Sequence, residues 1–290
     1  MRRVWAALER RSLDLFHAAL ALKARDAEAR LAQGSCLVLA PHPDDETLGC
    51  GGLVRRRRSK GWTVRVAVAA DGAASHASEP TRVTTRAALV DLRRRETLEA
   101  CRRLGVPEDA VAFFGLPDGR LAEVGPELER RITDALAAAR PRDVFVCARV
   151  DGHPDHRALN AALRRLIDQG RVPANVFEYP VWAFDFRSWR APGRSNKAGF
   201  GLGLLRMARF LRRARVISLD IAGALDAKRR ALAAHRSQLG LLEQEPDWSG
   251  LPRDFLDRFF KRRELFLAIH EAQPSVGERG ERLEREPQPS

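Results

Sequence analysis

The sequence predicts an α/β fold: a Rossmann-like, mostly parallel sheet with helices on both faces, preceded by a helical extension. Two patterns carry this expectation. From residue 35 onward, short and nearly continuous apolar runs alternate with longer helical stretches, as in βαβ units whose strands are buried on both faces. Four successive runs are each followed by a polar, turn-forming cluster, which describes the carboxyl-end rim where ligands gather on such sheets.

The elements follow in order. Residues 2 to 32 place Val4, Trp5, Leu8, Leu15, Phe16, Ala19, Leu20 and Leu22 at a helical period among charged residues that are mostly Arg. One helix, or two, therefore precedes the first strand, either as a cover or as a basic amphipathic surface on anionic lipid. The strand runs are "SCLVLA" (35–40), "TVRVAVAA" (63–70), "AVAFFGL" (110–116), "DVFVCA" (143–148) and "NVFEYPVW" (175–182). Between the second and third, "TRAALVDLRRRETLEACRRLGV" reads as a helix closed by Gly105. Further helices fit "PELERRITDALAAA" and a stretch beginning near His156. Residues 187–203, rich in Gly and Arg, predict a long loop, followed by a basic helix running into "VISLDI", a helix over "GALDAKRRALAAHRSQ", and a last strand at 263–269. The expected organisation is an extension at 1–34, one domain at 35–270, and a disordered tail at 271–290, where apolar anchors are almost absent.

The net charge of +13 invites polyanion binding. Only five of the 51 basic residues are lysine, however, and an arginine excess beside abundant Ala is what GC-rich coding produces. No zinc-finger, RRM or helix-turn-helix signature accompanies the charge, so nucleic acid is not an expected partner. Cys36, Cys50, Cys101 and Cys147 form no CxxC pair, which speaks against a disulfide framework and for a reducing, cytoplasmic setting. The N-terminus is too charged for a secretory signal, and no apolar run approaches a membrane span.

The chemistry concentrates in two rim clusters, "PHPDDE" at 41–46 and "DGHPDHRA" at 151–158. His42 and Asp45 are three apart, as are His153 and His156. The two pairs meet if the first and fourth strands are neighbours. Imidazole nitrogens and a carboxylate are the ligands of a zinc-type ion, and three of them leave a position open for water. The groups left over then serve acid/base chemistry at a reacting carbonyl. A clustered acid and histidine site also serves metal-dependent phosphoesterases, which commonly use two metals and more carboxylates.

At these residues the chain resembles the PIG-L/LmbE family of metal-dependent N-deacetylases. The matching motifs are "PHPDDETLGCGG" (41–52) and "GHPDHRA" (152–158), with softer agreement at Arg93, Glu96, Ala100, Leu104 and Gly105, at "GLPDG" (115–119), and from Lys228 to Gln238. The resemblance implies hydrolysis of the N-acetyl group of an N-acetylglucosamine-type sugar or glycoconjugate, with zinc, or ferrous iron, as cofactor. It implies His42, Asp45 and His156 as metal ligands and Asp44 as the general base. It further implies His153 as oxyanion stabiliser, Asp155 as the partner holding His153, and Arg93 as a substrate contact. Some members carry a tyrosine where this chain has Asp151. Lipid-linked and antibiotic N-acyl sugars are alternative substrates. The basic segments at 54–61 and 204–216, with the N-terminal helix, fit peripheral contact with the inner membrane surface.

Overall fold

The computed structural model describes residues 2–75, 84–190, 196–243 and 247–272. The chain runs α1 (Arg2–Lys23), β1 (Arg25–Asp26), α2 (Glu28–Leu31), β2 (Cys36–Ala40), α3 (Asp45–Ser59), β3 (Val64–Ala70), α4 (Arg86–Leu104), β4 (Val111–Leu116), α5 (Gly125–Ala139), β5 (Asp143–Cys147), α6 (Pro154–Asp168), β6 (Asn175–Tyr179), α7 (Asn196–Arg213), β7 (Val216–Asp220), α8 (Leu225–Leu232), α9 (Arg253–Leu256) and β8 (Arg263–His270). The eight strands form one sheet in the order β1-β7-β8-β6-β5-β2-β3-β4. All neighbours are parallel except β8, which is antiparallel to both β6 and β7. Strands β2 and β5 consist wholly of buried residues, as two-sided strands must.

The chain leaves β2 for β3 on one side, while β5 pairs β2 on the other. The order of winding therefore switches between β2 and β5, and a crevice opens at their carboxyl ends. Both histidine motifs start there. The helix boundaries follow capping chemistry: Thr85 Oγ1 accepts from the Ala88 N–H at the start of α4, and Gly105, at φ 89°, closes it.

Fully buried Arg57 on α3 ties the sheet to its approach segment. Its Nε donates to the Leu31 carbonyl, one terminal nitrogen to the Gly34 carbonyl, and the other to Asp143 Oδ2 at 2.6 Å.

Two sequence expectations change. Residues 196–203, expected as loop, are the first turns of α7; Phe200 stacks on Phe186 and meets Trp5, and this packing outweighs the poor helix propensity of three glycines. The extension expected at 1–34 comprises α1, β1 and the short α2, and it is not set apart from the domain: Leu13, Phe16 and Leu20 of α1 enter the same core as the sheet. The tail expected over 271–290 lies, from residue 273 onward, outside the described residues. No helix among the described residues is long and apolar enough to cross a membrane.

Candidate active site

The turn "PHPDD" sets the site. Asp44 precedes α3 at φ 116°, a region that L residues rarely occupy. Its N–H donates to Glu46 Oε2 at 3.0 Å. Glu46 is in turn 3.0 Å from His235 Nε2 and accepts from the Thr47 hydroxyl. Both partners of this pair are fully buried. Arg93 approaches from α4: it donates to the Gly72 carbonyl at 3.0 Å and the Pro43 carbonyl at 2.5 Å, and reaches Asp44 Oδ2 at 3.7 Å.

One carboxylate oxygen joins the two motifs. Asp45 Oδ2 lies 3.3 Å from His42 Nδ1 and 3.1 Å from His156 Nε2. The other nitrogen of each imidazole faces a carboxylate. His42 Nε2 is 3.2 Å from Asp118 Oδ1 and 3.1 Å from Asp155 Oδ2, and His156 Nδ1 is 2.9 Å from Asp151 Oδ2. These carboxylates are themselves fixed by backbone N–H groups, from Gly119 and Leu121 to Asp155 and from Val181 and Ala183 to Asp151. His156 Nε2, although close to Asp45, makes no hydrogen bond and is a buried polar atom left unsatisfied. A second convergence, of ligand atoms from His42, His153 and His156, falls within 4.8 Å.

The electrostatics are strongly perturbed. Burial alone would lower the His42 pKa, but contacts with Asp118, Asp155 and Asp45 outweigh it and raise it to about 10. His156 is likewise raised against burial by Asp45 and Asp151, while Asp45 is held well below the usual carboxylate range by the two imidazoles. Asp44 is pushed up to about 7 by burial and by the charge of Asp45, with Arg93 and His235 opposing. His153 is lowered to about 4 by burial and by His42 and His156.

His42, Asp44, Asp45, Arg93, Asp118 and His153 line a cleft of about 230 Å³ together with the apolar Leu48, Val181, Trp182, Trp248, Leu251 and Phe255. All seven residues expected from the sequence therefore gather at one rim, with two changes. Asp155 does not hold His153 through its carboxylate, which faces His42; its backbone N–H instead donates to His153 Nδ1 at 3.2 Å. The reason lies in the α6 start: His153 is the N-cap, so the Asp155 amide turns back to it, while the carboxylate is captured by the amides of Gly119 and Leu121. Arg93, expected at the substrate, is only 2% exposed and bonds to protein carbonyls beside Asp44. Sequence reasoning missed Asp118, Asp151 and the Glu46–His235 pair. Asp118 was visible only as one acid of the rim, and His235 carried no local signal.

Solved structures share this fold. The structure superposes on a conserved protein from Thermus thermophilus with a TM-score of 0.52 at 25% identity, covering 84% of this chain and 98% of that one. Teicoplanin deacetylase in its zinc-inhibited form gives a TM-score of 0.59 at 17% identity, covering 83% and 100%. Among curated proteins, a probable N-acetyl-α-D-glucosaminyl L-malate deacetylase of Bacillus subtilis (strain 168) is 26% identical, covering 72% of this chain and 85% of its own length. The 2'-N-acetylparomamine deacetylase of Streptomyces fradiae is also 26% identical, covering 74% and 77%. The protein is an enzyme of the deacetylase kind. Residues 37–167 match the family model described as PIG-L, GlcNAc-PI de-N-acetylase.

Proposed function

We propose that the protein is a metal-dependent amide hydrolase that removes the N-acetyl group from an N-acetylglucosamine-type sugar or glycoconjugate. The supporting observation is the convergence of His42 Nδ1 and His156 Nε2 on Asp45 Oδ2, each ring backed by a carboxylate on its other nitrogen. Ligands about 2.1 Å from a tetrahedral ion stand about 3.4 Å apart, close to the separations of 3.3 and 3.1 Å here. The unsatisfied His156 Nε2 is the lone pair such an ion would take. Asp118 and Asp155, 3.2 and 3.1 Å from His42 Nε2, read as orienters of His42 rather than as a second metal site of the phosphoesterase kind.

Zinc, or ferrous iron, held by His42, Asp45 and His156 would supply a Lewis acid that polarises the amide carbonyl and acidifies the attacking water. Asp44, on the cleft wall, takes the proton of that water and returns it to the departing amine as the C–N bond breaks. Arg93, also in the cleft lining, braces the Asp44 turn through the Pro43 carbonyl. Because His153 Nδ1 accepts the Asp155 amide N–H, its proton resides on Nε2, where it donates to the developing oxyanion. The products are acetate and a free amino sugar. Trp182, Trp248 and Phe255 line the same cleft and supply apolar surface beside a sugar ring.

The test is incubation of zinc-loaded protein with a panel of N-acetylated sugars and sugar conjugates while released acetate is followed. Acetate should appear with the wild type and fall about 10²–10⁴-fold in Asp44→Asn, the range of a lost general base, with zinc content unchanged by elemental analysis. Full turnover by Asp44→Asn would remove it as the base. No acetate from any sugar or conjugate would overturn the assignment.

A further inference from the structure

Helix α1 is apolar on two sides. Leu13, Phe16 and Leu20 face the core, yet Val4, Leu8, Leu15 and Leu22 are 61%, 42%, 66% and 89% exposed. At 100° per residue these four fall within about 40° of one another, an outward row roughly 27 Å long that exposed Arg11 joins between Leu8 and Leu15. Helix α7 lies beside α1 and runs in the same direction: Trp5 meets Phe200, Phe16 meets Phe210, and Lys23 Nζ donates to the Leu211 and Arg212 carbonyls. It adds exposed Leu204 and Leu205 to the same layer. No described residue buries these side chains, and soluble surfaces seldom leave so extended an apolar row without a binding role.

Where α1 and α7 end, the layer opens into a basic cleft of about 660 Å³ lined by Lys23, Arg25, Arg30, Arg212, Arg213 and Arg215. Glu271 neutralises Arg30. Arg25, Arg212, Arg213 and Arg215 have no carboxylate partner among the described residues. We propose that α1 and α7 form a docking surface for an anionic phospholipid bilayer, the leucine row entering the headgroup boundary and the arginine cleft facing acidic headgroups. Charge selects this occupant. A second copy seated on the face would bring two chains of net charge +13 and two like-charged clefts together, whereas an anionic surface complements both features. The proposal does not depend on the reaction assigned above.

Full-length protein sedimented with vesicles tests it, using phosphatidylcholine alone and equal parts of phosphatidylcholine and phosphatidylglycerol. Binding to the mixed vesicles should exceed binding to neutral ones by about tenfold and weaken as salt screens the clefts. Leu15→Glu/Leu22→Glu and Arg212→Glu/Arg213→Glu should each bring it near the neutral level. Because these side chains point to solvent, circular dichroism and the thermal midpoint should match the wild type, which separates lost docking from lost folding. Equal binding to both vesicle types, or full binding by both variants, overturns the proposal. So does a dimer, seen by sedimentation equilibrium without vesicle binding, that Leu15→Glu/Leu22→Glu dissolves; the row would then belong to a second copy.

Discussion

Asp151 shows how much one side chain can decide without touching the cleft. It is fully buried, and it accepts from the Val181 and Ala183 amides while standing 2.9 Å from His156 Nδ1. That contact fixes the ring so that Nε2 faces Asp45. An orienting carboxylate behind a ligand imidazole commonly sets 10–100-fold in metal affinity. Asp151→Asn keeps the size and one acceptor oxygen but removes the charge; zinc affinity, measured by competition with a chelating dye, should fall by about that factor. Unchanged affinity would detach His156 from the ligand set. None of this was legible in the sequence, where Asp151 registered only as the absence of a tyrosine. His42, Asp44, Asp45, His153 and His156 were legible because each motif is local and each follows a strand. Asp118, Asp151 and His235 were not, because their role arises when separate loops meet, and a single chain carries no mark of which imidazole a distant acid will face.

At the scale of elements, the "LGCGG" run explains how α3 can lie so deep. A methyl group at Gly49 would fall 2.1 Å from the Tyr179 ring, one at Gly51 2.9 Å from Lys228, and one at Gly52 2.5 Å from Ile221. Through these gaps the buried Lys228 reaches the Leu48 carbonyl, and Glu264, paired with Lys228 at 2.8 Å, accepts from the Gly52 and Leu53 amides. The glycines thus admit β6, α8 and Ile221, just after β7, to the helix that carries Asp45. Replacing a helical glycine by alanine ordinarily gains about 1 kcal/mol. Here the clash decides the sign, because Tyr179 is fully buried and its hydroxyl donates to the Leu39 carbonyl at 2.8 Å, so the ring has little room to retreat. Gly49→Ala should lower stability by about 1–3 kcal/mol, the cost of overpacking, read as a reduced urea midpoint; an unchanged or raised midpoint would mean that the ring moves aside. The same competition explains the start of α7. Gly199, Gly201 and Gly203 made residues 187–203 look like loop, but a methyl group at Gly203 would strike Phe186 at 2.8 Å; there too, contact selects the glycine.

For the whole molecule, the question is whether α1 is an appendage or part of the cooperative unit. Sequence patterning set residues 1–34 apart from the domain because helical periodicity precedes the first strand run; it could not register that β1 pairs with β7 or that Leu13, Phe16 and Leu20 join the central core. His17 provides a probe. It is 8% exposed, its ring packs on Phe184 at 5.0 Å, and burial, with Lys261 and Arg258 nearby and Asp14 opposing, lowers its pKa from 6.5 to about 4. The unfolded chain binds this proton more readily than the native one. The neutral imidazole therefore contributes stability that is complete above about pH 6.5 and is lost progressively as pH falls toward 4, about 3 kcal/mol in all. His17→Gln removes this titration, so the fall in stability from pH 6.5 to 4 should be shallower than in the wild type by about that amount, read from denaturant midpoints at a series of pH values. The difference enters the global transition only if α1 unfolds with the sheet. Identical acid limbs for the two proteins, with a separate early loss of helix, would make α1 an independent unit laid over the domain.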